Sequence, residues 1–228
     1  MKIFNTLLLL TFTCVASQNT STTFLGRNCP PDGFDSLNEF DFEEFISARW
    51  YSIEQKKVLY QPLSQFYCVY ADYELADFCP FCLGRPKITV FNSARKGSVT
   101  GEVRSVNFRA VVPFPRRHPA RANVGPRFLP LGLSRSTNYW VVDAGSYTDI
   151  LANEPRPSGV PYEWAIITTG RPNREGDDGT CYTRGGMWIF ARDPEPDPAV
   201  IDAVRNRATE LGLDVSQLLP VEHAGCVY

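Results

Sequence analysis

The chain has 228 residues, with 23 Lys+Arg against 25 Asp+Glu and a formal net charge of −2. That balance excludes a general nucleic-acid binder, whose affinity needs a strongly cationic face. The length suffices for one domain with a sizeable core, and 43% of the residues are hydrophobic.

The N-terminus reads as a secretory signal over residues 1–17. Lys2 supplies the charge, Leu7 to Leu10, Phe12 and Val15 the apolar core, and Val15-Ala16-Ser17 the cleavage site. This apolar run is shorter than the roughly 20 residues that span a bilayer, and no later stretch reaches that length. No stable membrane insertion is therefore expected. Cys14 lacks the small residues that lipid attachment would need before it. Secretion is the expected destination; the alternative is a plastid lumen, with the signal as the first half of a two-part address. Asn19-Thr20-Ser21 is a glycosylation sequon beside the cleavage site, with Asn19 as the acceptor. Residues 18–33 read as an N-terminal extension and 34–228 as the folded domain.

Charge is uneven along the domain. Asp32, Asp35, Glu39, Asp41, Glu43 and Glu44 form a run without a base. From Arg95 to Arg135 bases dominate, with Glu102 alone opposing them. Solvated outer faces of strands and loops explain both runs. The sharper reading is a cationic rim that attracts an anionic ligand or partner, with Arg116, Arg117 and Arg121 steering a carboxylate-bearing ligand to the mouth.

Strand-length runs of aromatic and branched residues recur at Trp50 to Ile53, Phe66 to Tyr73, Ile88 to Phe91, Val103 to Val112, Tyr139 to Val142, Tyr162 to Thr168 and Met187 to Phe190. Turn residues separate most of them, as at 94–98, 155–159 and 175–179. Seven or eight short strands predict an antiparallel barrel or sandwich. One helix is predicted after the last strand. Asp197 caps it, Pro198 suits its first turn, Val200, Ile201, Val204, Ala208 and Leu211 keep helical spacing, and Gly212 ends it. Pro113, Pro115, Pro119, Pro126 and Pro130 mark residues 113–135 as an irregular strand or a flap.

Six cysteines follow the signal: Cys29, Cys68, Cys79, Cys82, Cys181 and Cys226. An even number behind a signal implies disulfides, and their count alone leaves the pairing open. Cys79-Pro80-Phe81-Cys82 spans a turn between strands and reads as a local Cys79–Cys82 bridge. A zinc ribbon needs a second such pair, and a redox site needs a helix after the motif. His118 and His223 are the only histidines, each in a loop context, and no Gly-x-Ser-x-Gly elbow or phosphate loop accompanies them. No metal site, cofactor or catalytic residue is expected.

The chain resembles the lipocalin family, in particular apolipoprotein D-like and plant chloroplastic or temperature-induced lipocalins. The resemblance rests on three stretches. Phe40 to Ile53 carries Ala48-Arg49-Trp50-Tyr51, with Ala48 where the family has glycine. Tyr139 to Asp143 with Tyr162 to Ile167 stands for the middle motif, with residues 144–161 as an inserted hairpin loop. Gly186 to Pro194 matches the third motif closely. The resemblance spans about residues 34–226 and implies an all-β fold: an eight-stranded antiparallel up-and-down barrel with one C-terminal helix packed outside. It implies that Arg192 stacks on Trp50 to close the barrel floor. It implies disulfides Cys29–Cys181 and Cys68–Cys226.

Every second residue of a barrel strand faces inward. On that parity Trp50, Tyr67, Val69, Phe91, Val106, Phe108, Tyr139 and Trp164 are the expected ligand-binding residues. The function implied is a secreted carrier of a small hydrophobic ligand: a lipid, fatty acid, sterol, retinoid, carotenoid or tetrapyrrole. Two alternatives belong to other classes. One is an enzyme on this fold, an isomerase using a barrel thiol or a carotenoid de-epoxidase-like protein. The other is a protein-binding module acting through its loops, chiefly 144–161. A monomer or weak homo-oligomer is expected.

Overall fold

A computed structural model describes residues 29–76, 85–131, 137–157 and 159–228. The signal, Asn19 and the Cys79–Cys82 pair lie outside the described residues. Eight antiparallel strands close into a barrel: β1 (Trp50–Lys56), β2 (Tyr67–Leu75), β3 (Lys87–Lys96), β4 (Glu102–Val111), β5 (Arg121–Pro126), β6 (Tyr139–Gly145), β7 (Trp164–Thr168) and β10 (Met187–Ala191). Pairing of β10 with β1 completes the ring. A short ribbon, β8 (Arg174–Glu175) with β9 (Cys181–Tyr182), lies between β7 and β10. Strand β11 (Leu218–Pro220) is outside the ring and pairs with residues 54–56 of β1.

Chain order and antiparallel pairing sort the connections into two ends. The floor end holds the start of β1, the β4–β5 connection and the end of β10. The mouth end holds the β1–β2, β3–β4 and β5–β6 connections. The β3–β4 hairpin is the most regular part, with ten paired residues on each strand. Its turn starts at Gly97, whose φ of +85° suits glycine. The turn expected at 94–98 is thus displaced. Ala94, Arg95 and Lys96 stay in β3 because they remain paired with Arg104, Val103 and Glu102.

Residues 113–135, expected to be irregular, supply β5. Its proline is tolerated because Pro126 is the last residue of the strand. The β5–β6 seam is short, pairing only Arg121 with Trp140 and Ala122 with Tyr139. Beyond it the Asn138 side chain substitutes for a strand: its Oδ1 accepts from Val124 N at 2.7 Å and its Nδ2 donates to Val124 O at 2.8 Å.

Three α-helices complete the described fold. Helix α1 (Phe42–Ile46) starts at Asp41, whose side chain accepts from Glu44 N. Helix α2 (Tyr147–Ala152) is capped by Ser146 and ends at Asn153 with φ +54°. It corrects the hairpin expected at 144–161: β6 runs to Gly145 and a helical turn follows at once. Both helices escape periodicity analysis because neither exceeds six residues. Helix α3 (Pro198–Glu210) is the predicted one, with Asp197 Oδ1 accepting from Ala199 N at 2.8 Å.

The stripe Val200, Val204 and Ala208 of α3 is fully buried against the outer face of the barrel. That face carries Trp140, Val142, Trp164, Ile166, Met187 and Ile189. Burial of each Val side chain contributes roughly 1.5–3 kcal/mol. Arg207 fastens the helix to β6 through Asp143 at 2.6 Å. Disulfides join Cys29 to Cys181 and Cys68 to Cys226. The first ties the N-terminal segment to the ribbon, and Cys181 in turn exchanges backbone hydrogen bonds with Gly212 and Asp214 after α3. The second ties the tail to β2, where Glu222 also bonds to Phe66 and Cys68.

Candidate ligand cavity

The barrel encloses a cavity of about 520 Å³. Strands β2, β3 and β4 contribute Val69, Ala71, Tyr73, Ile88, Val90, Val106, Phe108 and Ala110 to its wall. Strands β5, β6 and β10 add Ala122, Val124, Tyr139, Val141, Trp188 and Phe190. Phe40, Phe42, Phe45 and Ile46, in and before α1, close it from below. Tyr60, Gln61 and Gln65 of the β1–β2 loop, with Arg104, Pro126 and Asn138, stand at the mouth.

The floor is built around Trp50, which is completely buried. The Arg192 guanidinium lies 3.7 Å from the Trp50 ring centroid. It donates to five backbone carbonyls: Glu44 at 3.1 Å, Phe45 at 3.0 Å, Arg49 at 3.1 Å, Tyr162 at 3.1 Å, and Ala48. Trp50 Nε1 donates to Phe45 O at 2.8 Å. Burial raises the pKa of Glu44, whose carboxylate approaches Arg192 at 3.9 Å and accepts from Tyr162 N at 2.9 Å. Phe45 bridges floor and cavity, with its ring 5.0 Å from Trp50 and 5.9 Å from Tyr73.

Of the residues expected to line the barrel, Val69, Val106, Phe108 and Tyr139 face the cavity. The other four do not. Trp50 lies beneath it, in the floor cluster. Tyr67 precedes a bulge at Cys68, which has φ +51° and breaks the two-residue alternation of β2. Phe91 points outward beside Tyr70, with ring centroids 6.1 Å apart, while its neighbours Val90 and Asn92 point in. Trp164 packs under α3 and donates to Ser146 O at 2.9 Å, leaving Ala165 and Ile167 as the inward residues of β7. For Phe91 and Trp164 the error is a one-residue slip of parity.

Strand β1 hides a further inward residue. Its pairing with β10 passes from Ser52–Phe190 to Glu54–Ile189, so Ile53 is a bulge. Simple alternation from Trp50 would put Glu54 inside. The bulge instead turns Glu54 out toward Arg205 and brings Gln55 in. Ser52 Oγ donates to Gln55 Oε1 at 2.9 Å. Across the cavity the hydroxyls of Tyr73 and Tyr139 meet at 2.9 Å. Burial pushes the Tyr73 phenol up to about 12 and raises that of Tyr139 as well, so both are neutral. Their accessible surface faces the cavity.

The arginines expected to steer a ligand are at the wrong end. Arg116 and Arg117 belong to the β4–β5 connection, on the floor side. Arg121 is engaged with Asp35 and stacks 3.8 Å from Trp140. The reason is topological: β4 runs toward the floor, so whatever follows it emerges there.

No protein-family model matches the chain, and no curated protein matches it. Solved structures similar to it include the major allergen Per a 4 from cockroaches, 16% identical, with 82% of this chain and 91% of that one covered and a TM-score of 0.49. Insecticyanin from the tobacco hornworm Manduca sexta is 14% identical over 88% of this chain and 89% of its own, with a TM-score of 0.49. Lobster apocrustacyanin A1 is 13% identical over 80% and 79%, with a TM-score of 0.48.

Proposed function

We propose that this protein is a secreted carrier of lipocalin type, in the apolipoprotein D-like group its motifs resemble, that holds one small hydrophobic ligand inside the barrel. The observation that carries the reading is the cavity: about 520 Å³, walled by aromatic and branched side chains and closed below. That volume is in the range of small-molecule sites, roughly 300–1,000 Å³. Apolar burial at about 25 cal/mol per Å² drives binding, reduced by the cost of ordering the ligand. A thiol isomerase would need a free cysteine in the wall; Cys68 is bonded to Cys226.

Trp188 is the one tryptophan of the chain that lines the cavity. Titration with a retinoid, a fatty acid and a tetrapyrrole should quench its emission saturably, and Trp188→Phe should remove most of that signal. Saturable quenching by none of these, in a folded protein, would overturn the carrier reading.

A further inference from the structure

We propose that the ligand is an uncharged apolar molecule bearing a hydroxyl or carbonyl oxygen, and that Gln55 selects it by donating from Nε2 to that oxygen. The inference rests on the carrier reading and narrows it to a ligand class.

Gln55 is fully buried and borders the cavity. Its Oε1 is occupied by Ser52 Oγ, and its Nε2 has no hydrogen-bond partner among the described residues. Folded proteins seldom leave a buried amide nitrogen unsatisfied, and such a group marks a missing acceptor. The position is also held firmly. The backbone carbonyl of Ser52 meets His223 Nε2 at 2.9 Å, and the Ile53 bulge is what turns Gln55 inward. A hydroxyl satisfies the amide in either of its two orientations.

The rest of the wall argues for a neutral ligand. Among the described residues Arg104 is the only charged side chain on the cavity, and it sits at the mouth, paired with Glu102 at 2.7 Å. No cation inside would compensate a buried carboxylate, which is costly to desolvate unpaired. The Tyr73–Tyr139 pair uses one hydroxyl hydrogen internally and leaves the other to face the cavity. It is a second neutral polar point in a chamber whose other inward polar residues, Asn92 and Ser93 among them, are also uncharged.

The test is displacement of N-phenyl-1-naphthylamine at pH 7.4 by dodecan-1-ol, 2-dodecanone and dodecanoate, on the wild type and Gln55→Met. The wild type should prefer the alcohol and ketone to the carboxylate by roughly tenfold. Gln55→Met should weaken alcohol and ketone binding by roughly three- to tenfold while keeping its affinity for the probe, as for loss of one hydrogen bond. A wild-type preference for dodecanoate overturns the inference. So does Gln55→Met with unchanged alcohol affinity, and the carrier reading survives both results. If the wild type takes up neither the probe nor any of the three compounds, the carrier reading falls, and this inference with it. Should Gln55→Met fail to fold, the wild-type order of preference decides the ligand class alone.

Discussion

Truncating Arg192 to alanine removes the main brace of the floor. The side chain spans five backbone carbonyls from three parts of the chain and covers the Trp50 ring. The stacking contributes roughly 0.5–2 kcal/mol. Each buried carbonyl that loses its donor costs about 1–3 kcal/mol, but these losses overlap and water reaches part of the gap. Its side chain is only 16% exposed, so screening is modest. A net loss of about 3–5 kcal/mol follows, in the upper tail for single substitutions. For a chain of this size each kcal/mol lowers Tm by roughly 2–4 °C, so the midpoint should fall by roughly 6–20 °C. Urea unfolding with paired circular dichroism and fluorescence would measure it. Arg192→Lys keeps the charge without the planar fork and should recover only part of the loss. Ligand preference should be unchanged, because Trp50 and Phe45 separate Arg192 from the cavity. A loss under about 1 kcal/mol would refute the bracing argument, and altered selectivity would place Arg192 within the site.

Three further outcomes are expected. A Cβ on Gly186 would lie 2.0 Å from the Trp188 ring, so Gly186→Ala should displace that indole, shift its emission and cost about 1–3 kcal/mol on thermal melting. Replacing Cys68 and Cys226 together by serine should cost roughly 3–5 kcal/mol in urea, since the bridge closes a loop 158 residues apart. Burial lowers the pKa of His223 below its ordinary 6.5, so the unfolded chain takes up the proton more readily. Its contribution is fully present above pH 6.5 and is lost as the pH falls toward the folded value. His223→Asn should flatten that slope between pH 7.5 and 5, and an unchanged slope would count against it. Glu44, raised by burial, acts with the opposite sign at lower pH.

The barrel was legible because its strands are short runs of aromatic and branched residues set off by turn residues, and its floor pairs two conspicuous residues, Trp50 and Arg192. The third-motif arginine and the helix behind it are local signals that tertiary structure does not override. The site was less legible, for reasons that lie in the backbone. Bulges at Ile53 and Cys68 each change which residues face inward, and nothing in the side chains announces them. Gln55, between Glu54 and Lys56, was therefore not among the expected lining residues. Phe91 and Trp164 were assigned inward on a parity one residue out of step, and their aromatic character gave no warning of it. The outer face of this barrel is itself a core, covered by α3 behind Trp164, so aromatic content does not distinguish inside from outside. Strand β5 was hidden by its one arginine and its proline, Arg121 and Pro126, which lie at its two ends.

The short pairing between β5 and β6 gives the wall a direction of weakness. Ten residues on each strand join β3 to β4, but β5 and β6 share two register pairs, the flanking backbone bonds from Asn138 N to Ala122 O and from Val141 N to Ala120 O, and one asparagine side chain. Local opening follows the fewest bonds. This cylinder should therefore open between β5 and β6 before it opens between β3 and β4, with the amide of Val124 exchanging ahead of those in the β3–β4 hairpin. For a ligand held above the sealed floor as proposed, this seam would offer a second way out, sideways, and Asn138 would set the residence time along with the apolar wall.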